Sequence, residues 1–265
     1  MHITTDLVKE LRLKSGIGIM ECKKALIAAH GDIKKAIIIL KKNGQIKAEN
    51  KITNIASRGV VATYVIKNKY AYMIELNCET DFVEKHPDFL NFSSEALLYI
   101  HKNKIKDISI LQALLEEKRI MLVSKFGENI LIRRFCFIVG KYIECYVHRN
   151  KIGVLVQSNS KKVDVIKKVA MHIAANNPDY LSRHDIPDAI IEKERNIQSE
   201  ITARLGKPLS IAKKIVNGQI EKFIDNICLL EQNCVFEVNQ KIKDFISIHD
   251  TKILQFIRFE LGEMI

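Results

Sequence analysis

The sequence contains no tryptophan, and aromatic residues make up only 7% of it. Proteins that bind single-stranded RNA combine basic grooves with exposed aromatic rings on which bases stack. The aromatic residues here fall mainly in strand-like patterns, where core packing accounts for them. This composition disfavours RNA binding as the main function, although a basic RNA-binding or chaperone-like protein stays open as an alternative.

Long apolar runs and targeting segments are also missing. No window approaches the roughly 18 consecutive apolar residues that a membrane-spanning helix needs. The first residues pass directly into a helix-like pattern and show neither a signal peptide nor a transit peptide. We therefore expect a cytoplasmic protein with no membrane partner.

Signatures of common catalytic and metal sites are absent as well. The six cysteines form no CxxC pair, which predicts reduced, mostly buried thiols and no structural zinc. There is no GxxxxGK[ST] and no HExxH motif, and Gly16-Ile17-Gly18 fits a tight turn between helices better than a phosphate loop. His172 lies in an apolar helical pattern, which favours a core histidine over a catalytic base. We predict no catalytic residue, metal, cofactor or direct nucleotide binding, and keep an undetected hydrolase or transferase as a distant alternative.

Positive charge is what the sequence has in excess. The formal net charge is +11, and an accompanying surplus of Ile, Lys and Asn is typical of AT-rich coding sequences. Residues 1–54 hold 11 Lys and Arg against 5 Asp and Glu, a net of +6 that leaves +5 for the remaining 211 residues. A basic N-terminal module could bind RNA phosphates or an acidic protein surface, and charge alone does not choose between them.

The first part of the chain has the pattern of a small helical module. Residues 4–42 predict three short helices, with breaks at Ser15-Gly16-Ile17-Gly18 and at Gly31-Asp32. Asn43-Gly44 through Ser57-Arg58 is polar and charged, which predicts a linker. We assign residues 1–54 to a three-helix N-terminal module and its linker.

The rest of the chain contains an internal repeat. YVIKNKYAYMIELN (residues 64–77) and YVHRNKIGVLVQSN (residues 146–159) agree at five of 14 positions, and both place Asn-Lys where a hairpin would turn. Ile132-Arg133-Arg134-Phe135 resembles Ile257-Arg258-Phe259 at a larger offset. The repeat predicts two related α+β units, residues 55–140 and 141–265.

The second copy of the repeat must hold an insertion, because the offsets of 82 and about 125 residues differ by about 43. Residues 187–226 contain two helical runs with Gly206-Lys207-Pro208 between them. This pattern predicts an antiparallel helical hairpin resembling a coiled coil. Further helices are predicted at Leu111 to Phe126 and at Val163 to Ala175.

Two stretches resemble the signature sequences of the bacterial elongation factor Ts family. They are LRLKSGIGIMECKKAL (residues 11–26) and ELNCETDFVEK (residues 75–85), in the expected order and about 60 residues apart. The resemblance continues through KFGENILIRR, VHRNKIGVLV, AMHIAANNP and IRFELGE, so it covers essentially the whole chain. It implies an α+β fold with a three-helix module like a ubiquitin-associated domain. Two related subdomains with antiparallel sheets follow, the second interrupted by a coiled-coil hairpin.

The resemblance also implies a function that needs no bond chemistry. It implies a guanine-nucleotide exchange factor, not an enzyme, whose partner is elongation factor Tu in its GDP-bound and nucleotide-free forms. By disturbing the partner's Mg²⁺ and phosphate sites, the factor would promote GDP release so that GTP can bind, which supports translation elongation. Factor binding and nucleotide binding weaken each other by linkage, so no catalytic acid or base is required.

The family's functional residues match two groups in this chain. Asp81 and Phe82 match a pair that wedges beside the Mg²⁺ site of the GTPase. Val83 and Thr80, on either side of this pair, are included in the predicted partner-binding group, Thr80 mainly as a loop-shaping hydroxyl. The residues alone also allow Phe82 to be buried in its own core, with Asp81 as a strand-end cap. His148 matches a histidine that enters an apolar pocket of the GTPase domain.

The remaining matches lie further along the resemblance. Val235-Phe236 matches an apolar pair that anchors the second subdomain on another domain of the GTPase, and Phe126 is a weaker contact candidate. The N-terminal module should dock on the GTPase domain through Arg12, Ile19, Met20 and Lys23, with core packing as the alternative for Met20. Glu84 departs from the family pattern, where a small residue is usual, and is expected either to disturb the metal site or to be a tolerated surface charge.

Overall fold

The computed structural model describes residues 3–205, 208–237 and 239–264. Its helices are α1 (Thr5–Ser15), α2 (Ile19–Ala28), α3 (Ile33–Lys51), α4 (Asp81–Glu84), α5 (Pro87–Asn103), α6 (Ile108–Phe126), α7 (Val163–Asn176), α8 (Asp188–Ala203), α9 (Leu209–Ile227) and α10 (Ile242–Ile248). Its strands are β1 (Arg58–Ile66), β2 (Tyr70–Cys78), β3 (Leu131–Val139), β4 (Ile143–His148), β5 (Ile152–Ser158) and β6 (Ile253–Glu260). Among the described helices, none is long and apolar enough to cross a membrane.

The three N-terminal helices form their own small core, as predicted. Leu11, Leu26 and Ala36 are fully buried where α1, α2 and α3 meet. The first helix ends at Gly16, whose φ of 68° lies in the left-handed region that glycine adopts at no steric cost. Asp32 caps α3 by accepting a hydrogen bond from the N–H of Lys35 at 3.1 Å.

The predicted linker is shorter than expected, because α3 continues to Lys51. Asn-Gly pairs often form turns, but Gly44 is where α3 lies directly against α6. A Cβ atom at Gly44 would lie 2.3 Å from Ser124 Oγ and 2.9 Å from Ile120 Cγ2. The expectation of a linker from Asn43 was therefore wrong, because a non-local helix contact stabilises helix where the local sequence favours a turn.

The two sheets have the same arrangement of strands, which confirms the prediction of two related α+β units. One sheet has the order β1-β2-β3 and the other β4-β5-β6, with every pairing antiparallel. The first hairpin of each turns at Lys67-Asn68 or Arg149-Asn150, all with positive φ, as the two central residues of a type I′ turn require. Each middle strand also has a register shift at the equivalent position, between Glu75 and Leu76 or between Gln157 and Ser158.

The predicted helical insertion is confirmed in the second copy. Helices α8 and α9 follow α7 and precede β6 in the chain, and they pack against each other. Arg195 on α8 donates a hydrogen bond to Asn217 Oδ1 on α9 at 2.9 Å. Val216, Ile220 and Ile224 form the buried stripe of α9. Of the predicted turn, Gly206 and Lys207 lie outside the described residues. The domain boundaries at residues 54/55 and 140/141 stay predictions.

The two sheets contact each other through an apolar layer that includes Val61, Met73 and Leu155. Gly153 lies at the closest approach, since a Cβ atom there would come within 2.6 Å of Met73 Sδ and of Val61 Cγ1. A glycine on the middle strand of the second sheet thus permits the close contact between the two copies.

A buried carboxylate fixes the end of the second sheet to the first. Glu75 on β2 is fully buried and accepts hydrogen bonds from Arg133 at 2.8 Å, Arg134 at 2.6 Å and the N–H of Gly262 at 2.9 Å. Arg134 also donates to the carbonyl of Glu260 at 3.0 Å. Burial acts to raise the pKa of Glu75, but the Gly262 N–H and the two guanidinium groups outweigh it and hold that pKa below its usual value.

Replacing Glu75 by Gln should destabilise the protein by about 3–5 kcal/mol at neutral pH, because the partly buried Arg133 loses its counter-charge and Arg134 keeps only Glu263. A depressed folded pKa means that the contribution of the carboxylate is complete above the ordinary glutamate pKa and is lost as pH falls through the lowered value. Urea unfolding across this range should therefore show the two proteins converging in acid. The exposed pair of Glu95 with Lys118 supplies the control, since Glu95→Gln should cost less than about 1 kcal/mol. Equal stabilities of the Glu75→Gln variant and the parent at neutral pH would contradict this account.

Candidate protein-binding site

Phe82 is displayed to solvent on a single turn of helix. Strand β2 ends at Cys78 and α4 begins at Asp81, which leaves Phe82 83% exposed while Val83 is buried in the core beneath the first sheet. The alternative of Phe82 packed in its own core is therefore wrong. Val83, which was included in the partner-binding group, is the side chain packed in the core, so it is not displayed to a partner. An aromatic ring held exposed on an ordered turn is available to bind another molecule.

Asp81 lies beside Phe82 and remains accessible. Its carboxylate pairs with Lys85 one helical turn later, at 2.8 Å. The hydrogen bond and positive charge of Lys85 hold the pKa of Asp81 below its ordinary value, so Asp81 is a carboxylate at neutral pH. The N-cap position of α4 is occupied by Thr80, not by Asp81.

The loop that leads into α4 is held by two reciprocal carboxylates. Glu128 accepts hydrogen bonds from the N–H of Glu79 at 3.1 Å, the N–H of Thr80 at 3.0 Å and the hydroxyl of Thr80 at 2.5 Å. Glu79 in turn accepts from the N–H of Asn129 at 2.7 Å and from the side chain of Asn54 at 2.9 Å. The Thr80 hydroxyl is thus engaged within the loop. No local pattern connects residues so far apart in the chain, so this pairing was not predicted.

Glu84 turns inward, in contrast to Phe82. Its side chain is only 11% exposed, forms an ion pair with Lys151 and accepts a hydrogen bond from the N–H of Gly59 at 3.4 Å. The expectation of a tolerated surface charge was therefore wrong. Because α4 has a single turn, Phe82 faces solvent while Val83 and Glu84 face the fold.

His148 ends β4 and is exposed at the tip of the first hairpin of the second copy. Its Nδ1 atom lies 3.0 Å from the hydroxyl of Tyr146, which restrains the imidazole ring. Ile66 occupies the equivalent place in the first copy. Ile66 is partly buried against the core of the first sheet, so only the second hairpin displays the side chain at this position.

The N-terminal candidates are all exposed and flank the turn between α1 and α2. This N-terminal patch consists of Arg12, Ile19, Met20 and Lys23. Met20 is 63% exposed, so core packing does not account for it; Cys22, Ala25 and Leu26 fill the core side of α2. Leu13 is still more exposed and was missed, because its place in the helical pattern of α1 does not distinguish a displayed leucine from a packed one.

Val235 and Phe236 differ in exposure. Val235 is exposed, whereas Phe236 is half-buried with its ring edge against Phe245 at a centroid distance of 4.8 Å. Phe126 is also half-buried, packs on the core of the first sheet and contacts the ring of His86 at 4.8 Å. Contacts within the chain therefore account for much of the buried surface of the Phe236 and Phe126 rings.

The segment that carries Val235 follows directly after Glu231, a carboxylate that is nearly buried. Lys241 and Lys243 each donate to it at 3.0 Å, and Arg183 lies 3.3 Å away. Burial acts to raise the pKa of Glu231, but the hydrogen bonds and charges of Lys243 and Lys241 outweigh it and lower that pKa to about 2. Sequence reasoning missed this cluster too, since its members come from separate segments.

His172 is fully buried on α7, with Nε2 2.8 Å from Gln232 Oε1, so the predicted core histidine is confirmed. Burial lowers the pKa of His172, which favours the neutral imidazole. Cys22, Cys78 and Cys228 are buried, and none of the six cysteines is in a disulfide. In the part of the chain that the structure describes, no group of three or more His, Cys, Asp or Glu side chains is arranged to hold a metal ion.

Replacing Glu231 by Gln should lower the free energy of unfolding by about 3 kcal/mol at pH 7, because the carboxylate pKa falls from an ordinary value near 4.5 to about 2 on folding. The contribution is complete above the unfolded pKa and declines as pH falls toward the folded one, so we expect about half of it at pH 3. Urea unfolding at the two pH values measures the difference. Glu237→Gln, an exposed change in the same segment, is the matched control. A penalty for Glu231→Gln that is the same at pH 7 and pH 3 would argue against the ion-pair explanation.

Comparison with known proteins identifies the family. A family model described as "Elongation factor TS" matches residues 79–263. The chain is 42% identical over 265 residues to elongation factor Ts of Blochmanniella pennsylvanica, covering 99% of this chain and 97% of the relative. It is 43% identical over 262 residues to that of Photorhabdus laumondii, with 98% and 93% covered, and 44% identical over 262 residues to that of Haemophilus influenzae strain PittEE, with 99% and 92% covered. The chain belongs to the elongation factor Ts family, a family of translation elongation factors.

Proposed function

We propose that this chain is a cytoplasmic guanine-nucleotide exchange factor that binds elongation factor Tu and promotes the release of GDP so that GTP can bind. The observation that carries the proposal is the display of Phe82. It lies 83% exposed, next to an ionised Asp81, on a turn whose preceding loop is fixed by Glu79 and Glu128. The same residues lie in the stretch that resembles the family signature.

Asp81 and Phe82 would act as a wedge in the GTPase beside its Mg²⁺ ion. The phenyl ring would separate side chains that pack together in the GDP form, and the Asp81 carboxylate would compete with the water and switch contacts of the ion. Because Mg²⁺ neutralises phosphate charge, a weakened Mg²⁺ site weakens GDP binding. The factor would bind the nucleotide-free form most tightly and, by linkage, lower the affinity for GDP by the same ratio.

Further contacts would hold the wedge in place. His148 would act on the phosphate side of the nucleotide site, and Val235 and Phe236 would anchor the second subdomain on another domain of the GTPase. The N-terminal patch, with its exposed Met20 and Ile19 beside cationic residues, would dock on the GTPase domain. Linked contacts of this kind raise the effective concentration of each weak contact. A loop that is ordered before binding also avoids the entropic cost of ordering it in the complex.

Phe82→Ala should slow the factor-stimulated release of fluorescent GDP from the cognate elongation factor Tu by about 30-fold, the effect of losing a hot spot of about 2 kcal/mol. Its melting temperature should stay unchanged, because the ring contacts solvent and contributes little to the core. Tyr99→Ala, a change of a partly exposed aromatic on α5, is the matched control and should leave release unaffected.

Failure of the correctly folded parent chain to accelerate GDP release would overturn the proposal. The net charge of +11 supports one alternative, an RNA-binding protein, which the same protein preparation can test. A basic RNA-binding protein would bind RNA tightly with strong salt dependence, would retain that binding after Phe82→Ala, and would not affect GDP release.

A further inference from the structure

Glu84 and Lys151 connect the two copies of the repeat directly beneath the candidate wedge. Glu84 belongs to α4, two residues after Phe82, and Lys151 closes the turn that begins at His148. The ammonium group of Lys151 pairs with the Glu84 carboxylate and donates to the carbonyl of Gly59 at 3.0 Å. The N–H of Gly59 in turn donates to Glu84 at 3.4 Å. We call this closed set of contacts the Glu84–Lys151 node.

The backbone around Lys151 leaves this residue little freedom. Its N–H donates to the carbonyl of His148 at 2.9 Å, and its own carbonyl accepts from the N–H of Leu261 at 2.8 Å. The neighbouring Asn150 accepts through its carbonyl from the N–H of Val61 on β1, at 2.8 Å. The turn that follows His148 is therefore fixed to the first strand of the other copy.

Gly59 is required at the centre of the node. Its φ of 143° lies outside the range that side-chain-bearing residues readily adopt, and a Cβ atom there would lie 1.9 Å from the carbonyl oxygen of Leu76. The absence of a side chain lets both polar groups of the Gly59 backbone reach Glu84 and Lys151. The node is therefore built from a charge pair and a backbone amide, not from a pair of mobile surface side chains.

Helix α4 needs such support because it has four residues. A single turn is far below the length at which a helix holds its own conformation, so its orientation depends on tertiary contacts. Glu128 restrains the chain before α4, Val83 anchors its buried side, and Glu84 is the contact that connects it to the other copy of the repeat. The direction in which Phe82 points is therefore coupled to the hairpin that carries His148.

We infer that Glu84 and Lys151 are positioning residues, which hold Phe82 and His148 in one fixed relation so that both engage the GTPase in the same step. This inference rests on the proposed exchange function. Neither residue contacts the partner in this account. The node fixes the relative positions of Phe82 and His148. Groups that are positioned before binding should increase the rate of GDP release from the bound complex more than they increase the affinity of the factor for the GTPase.

The test uses the entire chain with Lys151→Met, which keeps an unbranched side chain of nearly the same length but removes its charge. Lys151→Arg keeps the charge and the donors and serves as the conservative variant. Lys118→Met removes the lysine of an exposed pair with Glu95 and is the matched control. Each is measured for release of fluorescent GDP from elongation factor Tu over a range of factor concentrations, with and without Phe82→Ala, and for its melting temperature.

Lys151→Met should lower the maximal release rate at saturating factor by about threefold to tenfold, while the concentration that gives half the maximal rate changes by less. Lys151→Arg should recover most of the rate, and Lys118→Met should match the parent. Phe82→Ala should lower the maximal release rate by a smaller factor in the Lys151→Met background than in the parent. The two factors should differ by about threefold to tenfold, because the ring is already misdirected in Lys151→Met.

An unchanged maximal rate for Lys151→Met would overturn the inference while leaving the proposed function intact. So would a rate loss that multiplies independently with that of Phe82→Ala, since this is the result expected of a merely structural role. If Lys151→Met does not fold, Glu84→Gln, which keeps an acceptor for Gly59 but removes the charge, is held to the same two criteria. A parent chain that fails to accelerate release at all overturns the proposed function, and the inference with it.

Discussion

The exposure of Phe82 depends on the hydrogen bonds that hold the backbone of the preceding loop in place. A phenyl ring at the end of a flexible loop would collapse onto the nearest apolar surface, because burying it is favourable. Here Glu128 accepts the N–H groups of residues 79 and 80, and Glu79 accepts the N–H of Asn129. With both sides of the loop fixed in this way, the ring cannot turn back into the fold without breaking charge-assisted hydrogen bonds.

Carboxylates that accept several hydrogen bonds also connect other separate segments of the chain. Glu75 joins the end of β6 to the first sheet, Glu84 joins α4 to the second hairpin, and Glu231 gathers Lys241, Lys243 and Arg183 at the base of the segment that carries Val235. In a chain with 42 basic and 31 acidic residues, several carboxylates are thus used inside the fold, where each satisfies more than one donor.

Local and repeated features of this fold could be predicted from the sequence. The hairpins, the two copies and the inserted α8–α9 hairpin followed from comparing the chain with itself, since each copy folds by the same strand pattern. The prediction failed where a distant contact decides the outcome. Helix α3 continues past Asn43 because Gly44 fits against Ser124, and Phe126 is packed because His86 and the first core lie beside it. The candidate site divides in the same way. The displayed residues Asp81, Phe82 and His148 came from motif matches. Their supports Glu128 and Lys151 also lie in stretches that resemble the family, but no local pattern pairs them with the loop and the helix that they hold.

The central claim is that the turn carrying Asp81 and Phe82 is formed before any partner binds. Amide hydrogen exchange of the unbound protein tests it most directly, because the N–H groups of Glu79 and Thr80 are bonded to Glu128 and that of Glu84 to the carbonyl of Thr80. The account predicts that these amides exchange far more slowly than in an unstructured peptide, while the protein is alone in solution. Exchange at unstructured rates, with protection arising only when elongation factor Tu is added, would contradict it.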